Sequence, residues 1–209
     1  RNLCKQRIDQ CKSEDCEANA ELAEKYIEES DASPMAVLTD KANEQHYEVP
    51  ASFYQKVLGK NLKYSCCFFD PYANDLINAE NRALELSCEH ANLEDEMEIL
   101  ELGCGWGSLS LWMATNYPKA RITSISNSHS QREHILGEAR KRGLNNLDVL
   151  TEDINAFETD KQFDRVVSVE MFEHVRNHRE LFRRIYSWLT PGGKLFTHVF
   201  CHRSTSYPF

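Results

Sequence analysis

Between positions 170 and 174 the sequence reads EMFEH, two carboxylates and an imidazole within five residues. Spacings of three and four put Glu170, Glu173 and His174 on one side of the chain if this turn is helical. Carboxylates attract a cation, and an imidazole accepts a proton near neutral pH, directly or through water. An alkylamine is mostly ammonium under those conditions and has no free lone pair. Glu170 and Glu173 are therefore assigned to holding such a ligand and His174 to taking its proton. The plainer alternative is a helix start with acidic groups at its positive end. Location favours chemistry, because the segment follows directly on an apolar run with strand character. His174 with His178, and His198 with His202, are also four apart, but neither pair has a third ligand at fitting spacing, so no metal site is expected.

A second constellation is ELGCGWG at 101–107, where an apolar run meets a helical one. Gly103 suits a tight turn, Gly105 a close approach of backbone to a ligand, and Gly107 close helix packing. A dinucleotide site would want G-x-G-x-x-G and an acid at the end of the second strand to hold a ribose. This chain has neither, placing Ser126 and Asn127 where the acid would stand.

The elements that must position these groups follow from hydrophobic rhythm. EILELGC, ARITSIS, LDVLTED, FDRVVSVE and KLFTHVFCH read as strands, the last preceded by a Thr190-Pro191-Gly192-Gly193 turn. Helices are expected from Leu109 to Tyr117, over 129–142 and over 177–189. This alternation predicts an α/β fold with parallel strands, right-handed crossovers and ligands at the strands' carboxyl edge. Upstream, residues 1–31 read as helix, with Ile8, Cys11, Leu22, Tyr26 and Ile27 among a solvated acidic face, broken by Ser33-Pro34. An aromatic-rich segment follows. Residues 74–92 return to helix, with Leu76, Ile77, Ala83, Leu84 and Leu86 facing inward. Phe68, Phe69, Phe172 and Trp188 are expected in the core.

Over 209 residues the chain carries 24 basic and 33 acidic side chains, a net charge of −9. That balance repels phosphate backbones and anionic lipid headgroups, which argues against nucleic acid and favours cationic ligands. No apolar run is long enough to span a membrane, and no leader is visible, although the sequence starts at Arg1. The eight cysteines are expected to be reduced and mostly in the core, in a cytoplasmic protein.

The blocks KYSCCFF, LGCGWGSLSL, SNSHSQ, EMFEHV and THVFCH, in this order, resemble the family of S-adenosylmethionine-dependent enzymes that contains coclaurine N-methyltransferases and cyclopropane fatty-acid synthases. The resemblance runs from Ala42 to the end. It implies a class I methyltransferase fold, an open mostly parallel sheet with helices on both faces and an N-terminal helical lid. Residues 1–92 would form the extension and lid, and 93–209 the Rossmann-like core. The implied cofactor is S-adenosyl-L-methionine, leaving as S-adenosyl-L-homocysteine. Tyr64 and Ser65 would touch its methionine end, with Glu101, Gly103 and Gly105 beneath the aminocarboxypropyl chain. Ser126 and Gln131 would read the ribose in place of the usual acid. Asp153 and Ile154 would flank adenine, and Val169 would complete the cofactor set.

EMFEH matches the catalytic cluster of the plant amine enzymes, which implies a small secondary amine, with cyclic alkaloid-like ones among the candidates, as methyl acceptor. Within the same family, cyclopropane synthases use a bound bicarbonate as base. Cys66, Glu173 and His198 match that anion site, which keeps a lipid-modifying alternative open. Glu170 argues against it, since those enzymes typically carry glycine there and a carboxylate repels bicarbonate. A third expectation is a non-catalytic, cofactor-binding fragment, because the chain stops after its fifth strand where the fold normally adds two more. An exposed edge there invites homodimerisation.

Overall fold

The computed structural model describes residues 2–10, 16–37, 50–72, 74–202 and 205. Cys11, and the stretch 38–49 that opens the aromatic-rich segment, lie outside them.

Apolar alternation builds the centre. In β1 (Glu98–Leu102), Ile99 and Leu100 are both fully buried yet serve different cores, because successive strand residues point to opposite faces. With β2 (Arg121–Ser126), β3 (Leu147–Thr151), β4 (Phe163–Val169) and β5 (Leu189–His198) it forms a five-stranded sheet ordered β3-β2-β1-β4-β5. Every adjacent pair is parallel. Helices α4 (Leu76–His90), α5 (Ser108–Asn116) and α6 (His129–Arg142) cover one face, where Leu84, Met113 and Ile135 meet Ile99, Ile122 and Val167. Helix α7 (His178–Trp188) covers the other, where Leu181 and Ile185 meet Leu100, Leu102 and Val166. Each such fully buried aliphatic contributes roughly 1.5–3 kcal/mol. This is the doubly covered parallel sheet that the strand–helix rhythm predicts.

Local chemistry fixes where the helices begin and end. The Ser128 side chain accepts from the Gln131 N–H to cap α6, and Gly143 at φ 69° lets the chain leave it. Asp75 caps α4 through the Asn78 N–H, and Asn177 caps α7 through the Glu180 N–H.

Upstream lie α1 (Asn2–Gln10), α2 (Cys16–Asp31) and α3 (Ala51–Val57). After α2 the chain lies against the core as a strap. Ala36 makes an antiparallel bridge to Val175, and Met35 is buried beneath α7. Two asparagines hold it: Asn155 accepts from the Ala36 N–H (2.9 Å) and donates to the Ala36 carbonyl (3.1 Å). Asn177 donates to the carbonyls of Asp31 (2.9 Å) and Ser33 (3.0 Å).

Several expectations need correction. In α4, Leu76 and Ile77 are exposed, and burial begins only at Ala79 and follows Glu80, Leu84, Ser87 and Cys88. Phe68 and Phe69 are exposed too, whereas Phe172 and Trp188 are buried. Strand β5 begins directly at the end of α7. The Thr190–Gly193 turn sits inside it as an irregularity, pairing jumping from Phe163↔Leu189 to Arg165↔Lys194. Pro191 is tolerated there because β5 is the outer strand of the described sheet. The strand stops at His198, where its partner β4 ends, so His202 lies beyond it. The described cysteines are free, as expected, but only Cys88 and Cys104 are buried, while Cys4, Cys16, Cys66 and Cys201 are exposed. Among the described residues no helix is long and apolar enough to cross a membrane.

Gly107, the residue before α5, combines φ 81° with a closed environment, since an added Cβ would lie 2.5 Å from Ile135 Cγ1. Gly107→Ala should cost about 2–4 kcal/mol, from left-handed backbone strain plus overpacking. Chemical denaturation checks this as a lowered midpoint with an unchanged slope.

Candidate active site

The sheet order reverses between β1 and β4. The chain leaves β1 for α5 on one face and leaves β4 for α7 on the other, which opens a crevice at the carboxyl ends of both strands. A cavity of about 690 Å³ lies there. Its floor is the turn after β1, where Gly103 and Gly105 have φ 76° and 52°. A Cβ at Gly103 would strike Met171, whereas at Gly105 it would meet nothing within 4 Å, so Gly105 faces open space.

The sequence-assigned groups converge on this cavity. Tyr64, Ser65, Glu101, Gly103, Gly105, Ser126, Gln131, Asp153, Ile154, Val169, Glu170, Glu173 and His174 all line it. Cys66 and His198 are not in its lining and stand beside Glu170 instead.

Glu101 shares a sheet face with Ile99 and is buried under α5, where it accepts from Ser110 Oγ and, at 3.0 Å, from Ser124 Oγ. Burial raises its carboxyl from the ordinary 4.5 to about 7, partly countered by those two hydroxyls. Ser126 Oγ donates to Gln131 Oε1 at 2.6 Å, leaving Gln131 Nε2 buried without a partner. Trp106 Nε1, Ser108 Oγ and Glu173 Oε2, on other lining residues, are likewise buried and unpartnered. Such orphaned polar atoms are rare in folded proteins, and a polar ligand relieves them.

The EMFEH segment is not the regular helix that the spacing allowed for. Glu170 sits at φ 52°, and only Phe172–His174 form a short 3-10 turn. The two carboxylates are held separately. Glu170 Oε1 accepts from the Cys66 N–H at 3.0 Å, and Glu173 Oε1 accepts from the Phe200 N–H at 2.7 Å. His174 is exposed to solvent at the cavity's border. Cys66 Sγ lies 3.6 Å from His198 Nε2, and the third member of this group is Glu170 rather than Glu173. Glu173, the carboxylate expected beside Cys66 and His198, does not belong to this close group. Burial, then Glu170, push the Cys66 thiol up.

Other lining residues escaped the sequence reading. Lys63 is buried beside the cavity with its Nζ donating to Ser65 Oγ. Desolvation pulls its ammonium down, against Cys66, Cys67, Glu170 and Glu80. Its place at the head of the KYSCCFF block was the available signal. Tyr26 of α2 and the strap residues Ala36 and Val37 reach the cavity, and nothing local in the sequence announces that contact.

Comparison with known proteins is consistent with this geometry. The family model described as mycolic acid cyclopropane synthetase matches residues 38–207. An (S)-coclaurine N-methyltransferase from Thalictrum flavum subsp. glaucum is 41% identical over 175 residues, 84% of this chain and 48% of that protein. The cyclopropane-fatty-acyl-phospholipid synthase of Escherichia coli K12 is 31% identical over 163 residues, 77% of this chain and 41% of that one. The chain spans about half the length of the curated relatives it matches. A crystal structure of a coclaurine N-methyltransferase bound to N-methylheliamine and SAH superposes with a TM-score of 0.93 at 34% identity, covering 97% of this chain and 58% of that one.

The raised carboxyl of Glu101 makes a stability prediction. The folded state holds this proton up to about pH 7, whereas the unfolded chain releases it near 4.5. Stability therefore falls as pH rises between those values, by on the order of 3 kcal/mol, and is flat in this contribution outside them. Urea denaturation across that window should show the slope in the unsubstituted chain and lose it in Glu101→Gln.

Proposed function

The chain belongs to the mycolic acid cyclopropane synthetase family, and from that premise we propose that it is the cofactor-binding portion of an S-adenosyl-L-methionine-dependent N-methyltransferase acting on a small secondary amine. The observation that carries this reading is the pair of separately anchored carboxylates, Glu170 and Glu173, on the wall of the cavity that the glycine turn floors.

The lining suits the cofactor. Glu101, Gly103 and Gly105, with Tyr64 and Ser65 above them, would hold its methionine end. Ser126 and Gln131 would take the ribose hydroxyls, the orphaned Gln131 Nε2 gaining an acceptor. Asp153 and Ile154 would flank the adenine, with Val169 closing the set. Residues 1–92 would serve as extension and lid over a core of 93–209. Bound there, S-adenosyl-L-methionine supplies a methyl group already activated on a sulfonium.

What remains for the protein is to position the acceptor, exclude water and deliver an unprotonated nitrogen. Glu173 Oε2, buried and unpartnered while Oε1 is fixed by Phe200, is placed to accept from an ammonium N–H. Glu170, fixed by Cys66, attracts the same cation. His174, at the border with solvent, takes the amine's proton directly or through one water and passes it outward. Tyr26 of α2 and the strap residues Ala36 and Val37 narrow the opening and limit water.

One observation favours a second reading. Cys66 and His198, which match positions of the anion site in cyclopropane-forming enzymes, stand 3.6 Å apart. Glu170 weighs against it, because its carboxylate occupies that same group and repels bicarbonate.

The intact protein, given donor labelled in its methyl group with panels of secondary amines and of unsaturated phospholipids, should label amines. Label in acyl chains would support the second reading, and tight donor binding without transfer would reduce the chain to a binding module. Glu173→Gln and His174→Asn should each lower turnover by about 10²-fold or more while changing donor affinity little. Unchanged turnover in both sinks the assignment.

A further inference from the structure

Cys66, Glu170 and His198 come from three distant parts of the chain, yet their ligand atoms lie within 4.8 Å of one another, the one such group among the described residues. Cys66 Sγ and His198 Nε2 are 3.6 Å apart. Zinc–sulfur and zinc–nitrogen bonds of about 2.3 and 2.05 Å, meeting at a tetrahedral angle, hold those two atoms about 3.6 Å apart. The thiol and the imidazole therefore already have the spacing that a zinc-class ion imposes. The carboxylate must close by about 1.4 Å at most, a displacement within reach of side-chain rotation. Two hydrogen bonds keep the three ligands in place: the Glu170 N–H donates to the His198 carbonyl at 2.8 Å, and the Cys66 N–H to Glu170 Oε1 at 3.0 Å.

We propose that Cys66 Sγ, His198 Nε2 and one Glu170 carboxylate oxygen form a three-ligand site for a divalent transition metal of the zinc class, and that filling it inhibits the enzyme by withdrawing Glu170 from the amine. A thiolate–imidazole–carboxylate set prefers Zn²⁺, Co²⁺ or Cu²⁺ to Mg²⁺ or Ca²⁺, and leaves a fourth position to water. On binding, the Cys66 thiol loses its proton to solvent, three metal–ligand bonds form, and nothing is oxidised or reduced. Of the three ligands only Glu170 borders the large cavity, so an ion held there sits at its wall and engages the carboxylate from behind. Metal binding stands on geometry alone, while the inhibition rests on the reading of Glu170 as an amine-holding group.

The test separates the two. Intact protein is titrated with Zn²⁺ against a chromophoric chelator, and with Co²⁺ while the absorption spectrum is followed. One ion per chain should bind, with a thiolate-to-cobalt charge-transfer band. Cys66→Ser and His198→Gln should each weaken binding by about 100-fold, and Cys201→Ser, an exposed cysteine elsewhere, should not. Binding in Cys66→Ser as tight as in the unsubstituted protein, or a cobalt spectrum without the thiolate band, overturns the site. In the amine assay, Zn²⁺ should suppress turnover of the unsubstituted protein and leave Cys66→Ser at its own metal-free rate. Binding with no suppression overturns the inhibition, and with it the role of Glu170, while the site itself stands.

Discussion

Two neighbouring parallel strands that send their next helices to opposite faces of a sheet cannot close the space above their carboxyl ends. In this chain β1 and β4 are that pair. The rest of the site follows from it. Whatever residue follows each strand must turn sharply, and both do so through left-handed backbone, Gly103 at φ 76° and Glu170 at φ 52°. Glycine takes that conformation without a steric cost. Glutamate does not, and the cost is of order 1 kcal/mol or more. The side chain held there against its backbone preference borders the cavity.

Electrostatics points the same way. Glu101, Glu170 and Glu173 border one crevice in a protein of net charge −9. Water is displaced most completely at Glu101, whose carboxyl burial holds at about 7. A cation entering the crevice offsets the cost of ionising that group, whereas an anion adds to it. Three carboxyl groups on one lining favour a cation over an anion within the crevice.

Much of this was legible because it is local. The α6 boundaries are written in Ser128 and Gly143, one as a cap acceptor and the other as a left-handed exit. The β1 turn is written in three glycines, and five strands could be counted by apolar alternation. What could not be read is what depends on contacts far apart in sequence. Leu76 and Ile77 carry the right hydrophobicity for a core, but α4 meets the other elements only from Ala79 onward. Strap docking through Asn155 and Asn177 joins positions more than a hundred residues apart, and neither asparagine looks unusual in its own segment. The grouping of Cys66, Glu170 and His198 was hidden for the same reason. A histidine pair points to partners close in sequence, whereas the geometry gathers one residue each from 66, 170 and 198. EMFEH lay between these cases: its residues could be singled out, but a helical spacing rule could not foresee that Glu170 leaves the helix register.

The anchoring of the two carboxylates bears on how one fold supports different chemistries. Glu173 is tied to the chain after β5 through the Phe200 N–H, and Glu170 to the loop before α4 through the Cys66 N–H. Remove the Glu170 side chain and the Cys66 N–H loses its acceptor beside the thiol and the imidazole, leaving a donor that an anion can satisfy. Keep it, and the same space holds an acceptor that draws a cation. On the proposed reading, a single substitution at a position whose backbone already favours glycine would invert the sign of the preferred ligand without moving a strand. That is a small step for a sequence to take, and on the same reading it lets amine and alkene chemistry share one sheet and one glycine turn.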